Sequence, residues 1–181
     1  MNTNEVLQRL FYVDVTFDRL SKKPSNANEF NAVIKDLKNK ADIKSLDEIK
    51  GELKNGDLIW FNRLANQNCK FFELKLSDLC IDDYHSGIDI GRLKVKRGDK
   101  IEEISQSITG DSRTNSLIEC SFFEELISEV PIVVRPYQNI YEVISGNHRA
   151  ISLVKKGVIK IKCLCFCGSS DSNLCKTLNF N

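Results

Sequence analysis

Ser145-Gly146-Asn147-His148-Arg149 is where side chains able to do chemistry meet a backbone able to present them. An imidazole gives or takes a proton near neutral pH, and a guanidinium can grip two phosphate oxygens at once. Gly146 permits a sharp turn that a residue with a Cβ resists. Beyond it, Ala150, Ile151, Leu153 and Val154 form one helical stripe, and Gly157 follows Lys155 and Lys156 as a stop. A helix begun this way exposes free N–H groups and carries roughly half a positive charge at its first turn. The implied chemistry is capture of a phosphate-bearing ligand by Ser145, Gly146 and Asn147. His148 is then the general acid or base, and Arg149 stabilises developing charge. The plainer alternative is that His148 and Arg149 cap local carbonyls or pair with surface acids.

Three other clusters bear on the same chemistry. Asp82-Asp83-Tyr84-His85-Ser86-Gly87 gathers two carboxylates, a phenol and the second of the chain's two histidines. Such a group could hold Mg²⁺ or run acid–base chemistry on a phosphodiester, although Asp, Ser and Gly are also default turn residues. Arg92, Lys94, Lys96, Arg97 and Lys100 fall within nine residues. They form either a track for a polyanion backbone or a lysine-protected strand edge. Finally, Glu102 and Glu103, on a helix expected over 100–108 with Asp99 as its cap, are candidates for the acid or base opposite the turn. Glu142 is a further candidate; strand alternation places it with Ile144, exposed or paired with Arg135 on a neighbouring strand. Arg135 is itself a candidate phosphate contact.

The elements that must position these groups follow from hydrophobic period and turn chemistry. Helices are expected over 3–20 (capped by Thr3 or Asn4), 29–40, and from a Ser45-Leu46-Asp47-Glu48 capping box to about Asn55. Residues 57–66 fit a helix or a buried strand, and the helical neighbourhood favours helix. Trp60 reads as a packing residue rather than a base-stacking platform. A strand is expected over 69–81, and 109–120 is a polar insertion centred on Arg113, followed by a helix over 121–128. The final block runs strand (Pro131–Arg135, closed by Pro136), turn, strand (Tyr141–Ser145), glycine turn, helix and strand.

Two segments of that block, Pro131-Ile132-Val133-Val134-Arg135 and Tyr141 through Gly146-Asn147-His148-Arg149, resemble the second signature of the ParB/sulfiredoxin-like superfamily. There a "PIxVR" strand precedes "YxxxxGxHR" at a helix start. Phe71–Leu79 is similar to the family's first strand and its "LSDL" exit, and Lys100–Ile108 to the helix before "PIxVR". The resemblance spans about residues 70–168. It implies that the Gly-x-His-Arg turn holds nucleotide phosphates and that the activity is nuclease-like or kinase-like. Sulfiredoxins place a catalytic Cys immediately before His-Arg; Asn147 stands there instead, which excludes sulfinic-acid reduction by a thiol at that position. The Arg-rich turn and helix-turn-helix of chromosome-partitioning members are not matched. Small family members on phages and mobile elements make an anti-CRISPR-like role conceivable, with a ribonucleoprotein such as a Cas effector as partner.

Net charge is +1, so no global electrostatic case exists for nucleic acid, although a local patch can still supply one. No window reaches the length of a spanning helix and no signal-type apolar core opens the chain, so the expectation is a cytoplasmic protein without a membrane partner. Seven cysteines, irregularly spaced, imply reduced thiols. Cys163, Cys165 and Cys167 alternate on one strand face, with Cys175 beyond. Ligands about 7 Å apart along a strand converge badly on one ion, which favours buried thiols over zinc.

The expected fold is α+β, a small mixed sheet with packed helices over 69–168, preceded by a helical region over 1–68 and followed by a tail over 169–181. The expected function is phosphodiester or nucleotide processing, foremost a nuclease acting on RNA or DNA, with Mg²⁺ or a nucleotide as candidate cofactor. A non-catalytic nucleic-acid- or protein-binding inhibitor module and a nucleotide-dependent small-molecule kinase are the alternatives.

Overall fold

The structure is a computed structural model that describes residues 3–167 apart from 66 and 84. The 169–181 tail with Cys175, and Tyr84 of the 82–87 turn, lie outside them. The chain is α+β. Four helices come first: α1 (Thr3–Asp18), α2 (Ala27–Ile43), α3 (Leu46–Glu52) and α4 (Asn55–Ala65). Asn26 caps α2 by accepting from the Glu29 N–H, and Ser45 and Glu48 make the expected reciprocal capping box at α3. The described part of residues 57–66 is helical up to Ala65, because Trp60, Phe61 and Leu64 all bury into the core.

The 69–81 strand is a correction. It splits into β1 (Asn68–Lys75), a single 3₁₀ turn at Leu76–Asp78, and β2 (Leu79–Ile81). The two pieces go to opposite edges of a five-stranded mixed sheet, ordered β1, β7 (Lys160–Cys167), β5 (Ile132–Tyr137), β6 (Ile140–Ser145), β2. β1 runs antiparallel to β7, β7 parallel to β5, β5 antiparallel to β6, and β6 parallel to β2. β5 continues through Pro136, which pairs with Tyr141 rather than closing the strand.

After β2 the chain forms two short strands, β3 (Asp89–Ile90) and β4 (Leu93–Lys94), paired as a separate ribbon, and then α5 (Ile101–Ser107). Asp99 does not cap α5; its carboxylate turns back to accept from the Lys96 N–H, at 2.7 Å. The 109–120 insertion holds a helix, α6 (Ser112–Ile118), capped by Asp111 through the Thr114 N–H. It is followed by α7 (Phe123–Glu129) and, after β6, α8 (Asn147–Lys155).

The N-terminal helices share one apolar core with the sheet. Phe30 of α2 is completely buried, stacked on Phe122 at 4.9 Å and edge-on to Phe17 at 5.7 Å. Trp60 packs edge-on against Phe166 of β7, at 5.9 Å. Cys163 and Cys165 are buried, as expected, and burial pushes the Cys163 thiol up to about 12. Cys167 departs from the expectation of reduced thiols throughout, being disulfide-bonded. No helix among the described residues is long and apolar enough to cross a membrane.

Because Phe30 joins the helical region to the wall made by Phe17 and Phe122, truncating it opens a cavity that its neighbours fill only in part. Phe30→Ala is expected to cost about 3–5 kcal/mol, read as a lowered midpoint in chemical denaturation.

Candidate functional site

Strand direction decides which loops meet. β2 and β6 are parallel, with Ile81 beside Val143, so both strands deliver the chain to the same end of the sheet. There β2 runs into the Asp82–Gly87 turn and β6 into Ser145-Gly146-Asn147. The chain's two histidines therefore line one cleft of about 580 Å³, whose floor includes Ile144 and Ser145. The other wall comes from α1, the loop after it, and α6.

Gly146 turns the corner at φ 98°, a conformation that disfavours any side chain. A Cβ there would also lie 3.1 Å from Ile132 and 3.2 Å from the Arg149 guanidinium. α8 then starts without a side-chain cap. Asn147, buried against the cleft, has a carboxamide oxygen with no hydrogen-bond partner. Rotating that amide half a turn places an N–H donor in the same spot. Uncapped helix amides beside an unpartnered buried carboxamide are what an oxyanion would satisfy.

Arg149 departs from its expected role. Its guanidinium turns inward, donating to the Val130 and Pro131 carbonyls and to the Asp14 carboxylate of α1, and is 4% exposed. Ser145 Oγ donates to the other Asp14 oxygen, so both are held from behind the cleft. Asp14 is fully buried, and burial pushes its carboxyl up to about 6 against the pull of Arg149. At neutral pH the Asp14 carboxyl is ionised and pairs with the guanidinium.

His148 keeps to the cleft, with its side chain 20% exposed and Nε2 at 3.7 Å from Asp111. Burial lowers its pKa and the nearby Arg113 lowers it further, while Asp111 opposes them. The ring is accordingly neutral at pH 7. His85 is anchored differently: Asp82, wholly buried, accepts from the His85 backbone N–H at 3.1 Å and holds Nδ1 at 2.5 Å. With Nδ1 occupied, any proton exchange with the cleft runs through Nε2. The two imidazoles are near enough to influence each other electrostatically. Arg113, at 3.9 Å from Asp18, and Lys23, set over the Phe17 ring, bring positive charge to the same cleft. Burial lowers the Lys23 pKa.

The remaining sequence candidates are placed elsewhere. Glu142 is buried between Arg97 and Arg135, at 2.5 Å from each, so the Arg135 pairing is as expected and neither group reaches the corner. Glu103 is exposed on α5 and does not line the cleft. Asp82 and Asp83 do not converge on a Mg²⁺ position: one is buried on His85, the other faces Arg97 at 3.7 Å. Among the described residues no three His, Cys, Asp or Glu side chains gather as metal ligands. Arg92, Lys94 and Lys96 are exposed on the β3–β4 ribbon, whereas Arg97 is drawn onto Glu142. Sequence reasoning missed Asp14 and Asp111, whose partners lie far along the chain, and, while it offered the His85 turn for acid–base chemistry, it did not place that turn beside His148.

No model of a known protein family, no curated protein and no solved structure matches this chain.

A buried ion pair broken on one side leaves a charge without a partner, so Asp14→Ala should cost about 3–5 kcal/mol. The paired replacement Asp14→Leu with Arg149→Met should cost clearly less than the two single losses added, because no charge is then stranded. Denaturant midpoints of the four proteins in this cycle supply the comparison.

Proposed function

We propose that the protein cleaves phosphodiester bonds in RNA or DNA at the α8 corner, using its two histidines as an acid–base pair. The single observation that supports this most is their convergence. Asp82 holds the His85 ring at Nδ1, Asp111 lies 3.7 Å from His148 Nε2, and both rings line the cleft beside an uncapped helix N-terminus with cationic neighbours. In this reading the phosphate sits on the first α8 amides and the Asn147 carboxamide, with Arg113 compensating its charge. Neutral His148 accepts a proton from the attacking oxygen, and His85 delivers one through Nε2 to the leaving oxygen. Arg149 is a positioning residue that fixes the corner.

The ParB/sulfiredoxin-like resemblance of residues 131–149 supports the same phosphate position, though its Arg is turned inward here. A phage or mobile-element role, acting on a guide RNA within a Cas-type ribonucleoprotein, is the biological setting the resemblance suggests.

The test incubates the protein with labelled RNA, DNA and free nucleotides and resolves the products. His148→Ala and His85→Ala should each slow strand scission by on the order of 10²-fold or more, with folding retained. Nucleotide turnover without scission would replace the proposal with a phosphotransferase, and binding without turnover with an inhibitor module. A lowered His148 pKa has a definite sign: the unfolded chain binds the proton more readily, so the neutral ring favours folding above the usual 6.5. That contribution fades as pH falls through the folded value. The acid limb of the rate profile should accordingly lie below 6.5, and Arg113→Ala should move it to higher pH.

A further inference from the structure

Beside the cleft, from α4 to the β5–β6 turn, planar side chains are stacked in a row. Arg63 lies over one part of the Trp60 ring at 4.6 Å, and Arg135 lies over Trp60 at 4.9 Å. Arg135 and Arg97 then flank the buried Glu142 carboxylate, and Arg97 lies over the Tyr137 ring at 4.2 Å. Ring and guanidinium thus alternate from α4 to the β5–β6 turn. One buried carboxylate serves two guanidiniums, with exposed Asp83 at 3.7 Å from Arg97 as the second acid, and Arg63 adds a further positive charge to the row. The N–H edges of Arg97 and Arg135 are fixed on Glu142 while their side chains stay 35% and 20% exposed.

A group held this way has lost its edge for recognition but keeps its flat face. A flat, cationic, pre-ordered face suits another planar ring, and nucleobases stack on arginine and tyrosine irrespective of sequence. Phosphates can be met alongside. Exposed Arg92, Lys94 and Lys96 lie on the ribbon that leads directly into Arg97. Asp83, which pairs with Arg97, and Asp89, opposite Lys94, are the acids that temper this patch. The row meets the cleft at Trp60 and, through the Arg97 backbone N–H on Ser86, at the turn that carries His85.

We infer that this row is a binding track for single-stranded nucleic acid, which lays unstacked bases on Arg63, Arg135, Arg97 and Tyr137 and leads the strand to the cleft. Duplex is excluded as a good ligand, because its bases are stacked on each other and offer no face. The inference names the substrate form for the proposed nuclease and rests on that reading for its purpose, but its test reads binding alone.

Fluorescence polarisation would compare labelled oligo(U), oligo(dT) and a duplex of equal length at several salt concentrations, using protein that carries His148→Ala so that nothing is cut. Both single strands should bind more tightly than the duplex; a preference between them reports whether the 2′-hydroxyl is read. Arg63→Ala and Tyr137→Ala, neither of which touches Glu142, should each weaken single-strand binding roughly tenfold. Lys94→Ala with Lys96→Ala should flatten the salt dependence by about one to two units of slope. Duplex binding as tight as single strand, or unchanged affinity in both the Arg63 and Tyr137 variants, would overturn the track. Single-strand binding as expected here, together with no scission by the unsubstituted protein, would instead locate the failure in the histidine chemistry.

Discussion

The contact on which the rest depends is the buried meeting of Asp14, Arg149 and Ser145. It joins the first helix to the corner after β6 across most of the chain. Two charges taken out of water gain little net stability from their attraction. What they do gain is placement, since any shift of α1 would strand a guanidinium inside the protein. The first helix is thereby pinned as the far wall of the cleft, and the start of α8 is held while its amides stay open. Arg149's charge is cancelled at its source. Whatever attracts an anion to the corner must therefore be the helix end, worth roughly half a charge, together with Arg113 and Lys23.

Much of the scaffold could be read from residues alone. The Ser45–Glu48 box, the glycine corner and the pairing of Arg135 with Glu142 all follow from local chemistry or period-two alternation, and each has its partner within a few residues or on an adjacent strand. The Leu76–Asp78 break was not legible in the same way. Phe71 to Ile81 is apolar enough for one strand, and only sheet topology reveals that Leu79–Ile81 pairs with β6 at the opposite edge. That one displacement brings the His85 turn to the mouth of the cleft that His148 also lines.

Arg149 shows the other limit. A guanidinium at the first turn of a helix looks the same in sequence whether it faces solvent or core. The choice was made by an acid 135 positions away, with no neighbouring signal to mark it. Asp111 is hidden for a related reason: it sits in a stretch that reads only as a polar insertion, and its approach to His148 exists because α6 packs on α8. Local patterns specify elements well, whereas the partners of buried charges are settled by packing.

The electrostatics of the cleft then make a coherent argument for anion chemistry. Arg113 is both an attractor for a phosphate and one of the groups that depress the His148 pKa. A seated phosphate would offset that field, so His148 becomes a stronger base with substrate present than without it. Burial works in the opposite direction and keeps the empty ring neutral, ready to accept a proton. An arginine pointing into the cleft from position 149 would have held the imidazole at lower basicity still. By turning inward onto Asp14 it removes that penalty, and the same contact that shapes the corner also leaves its histidine able to act.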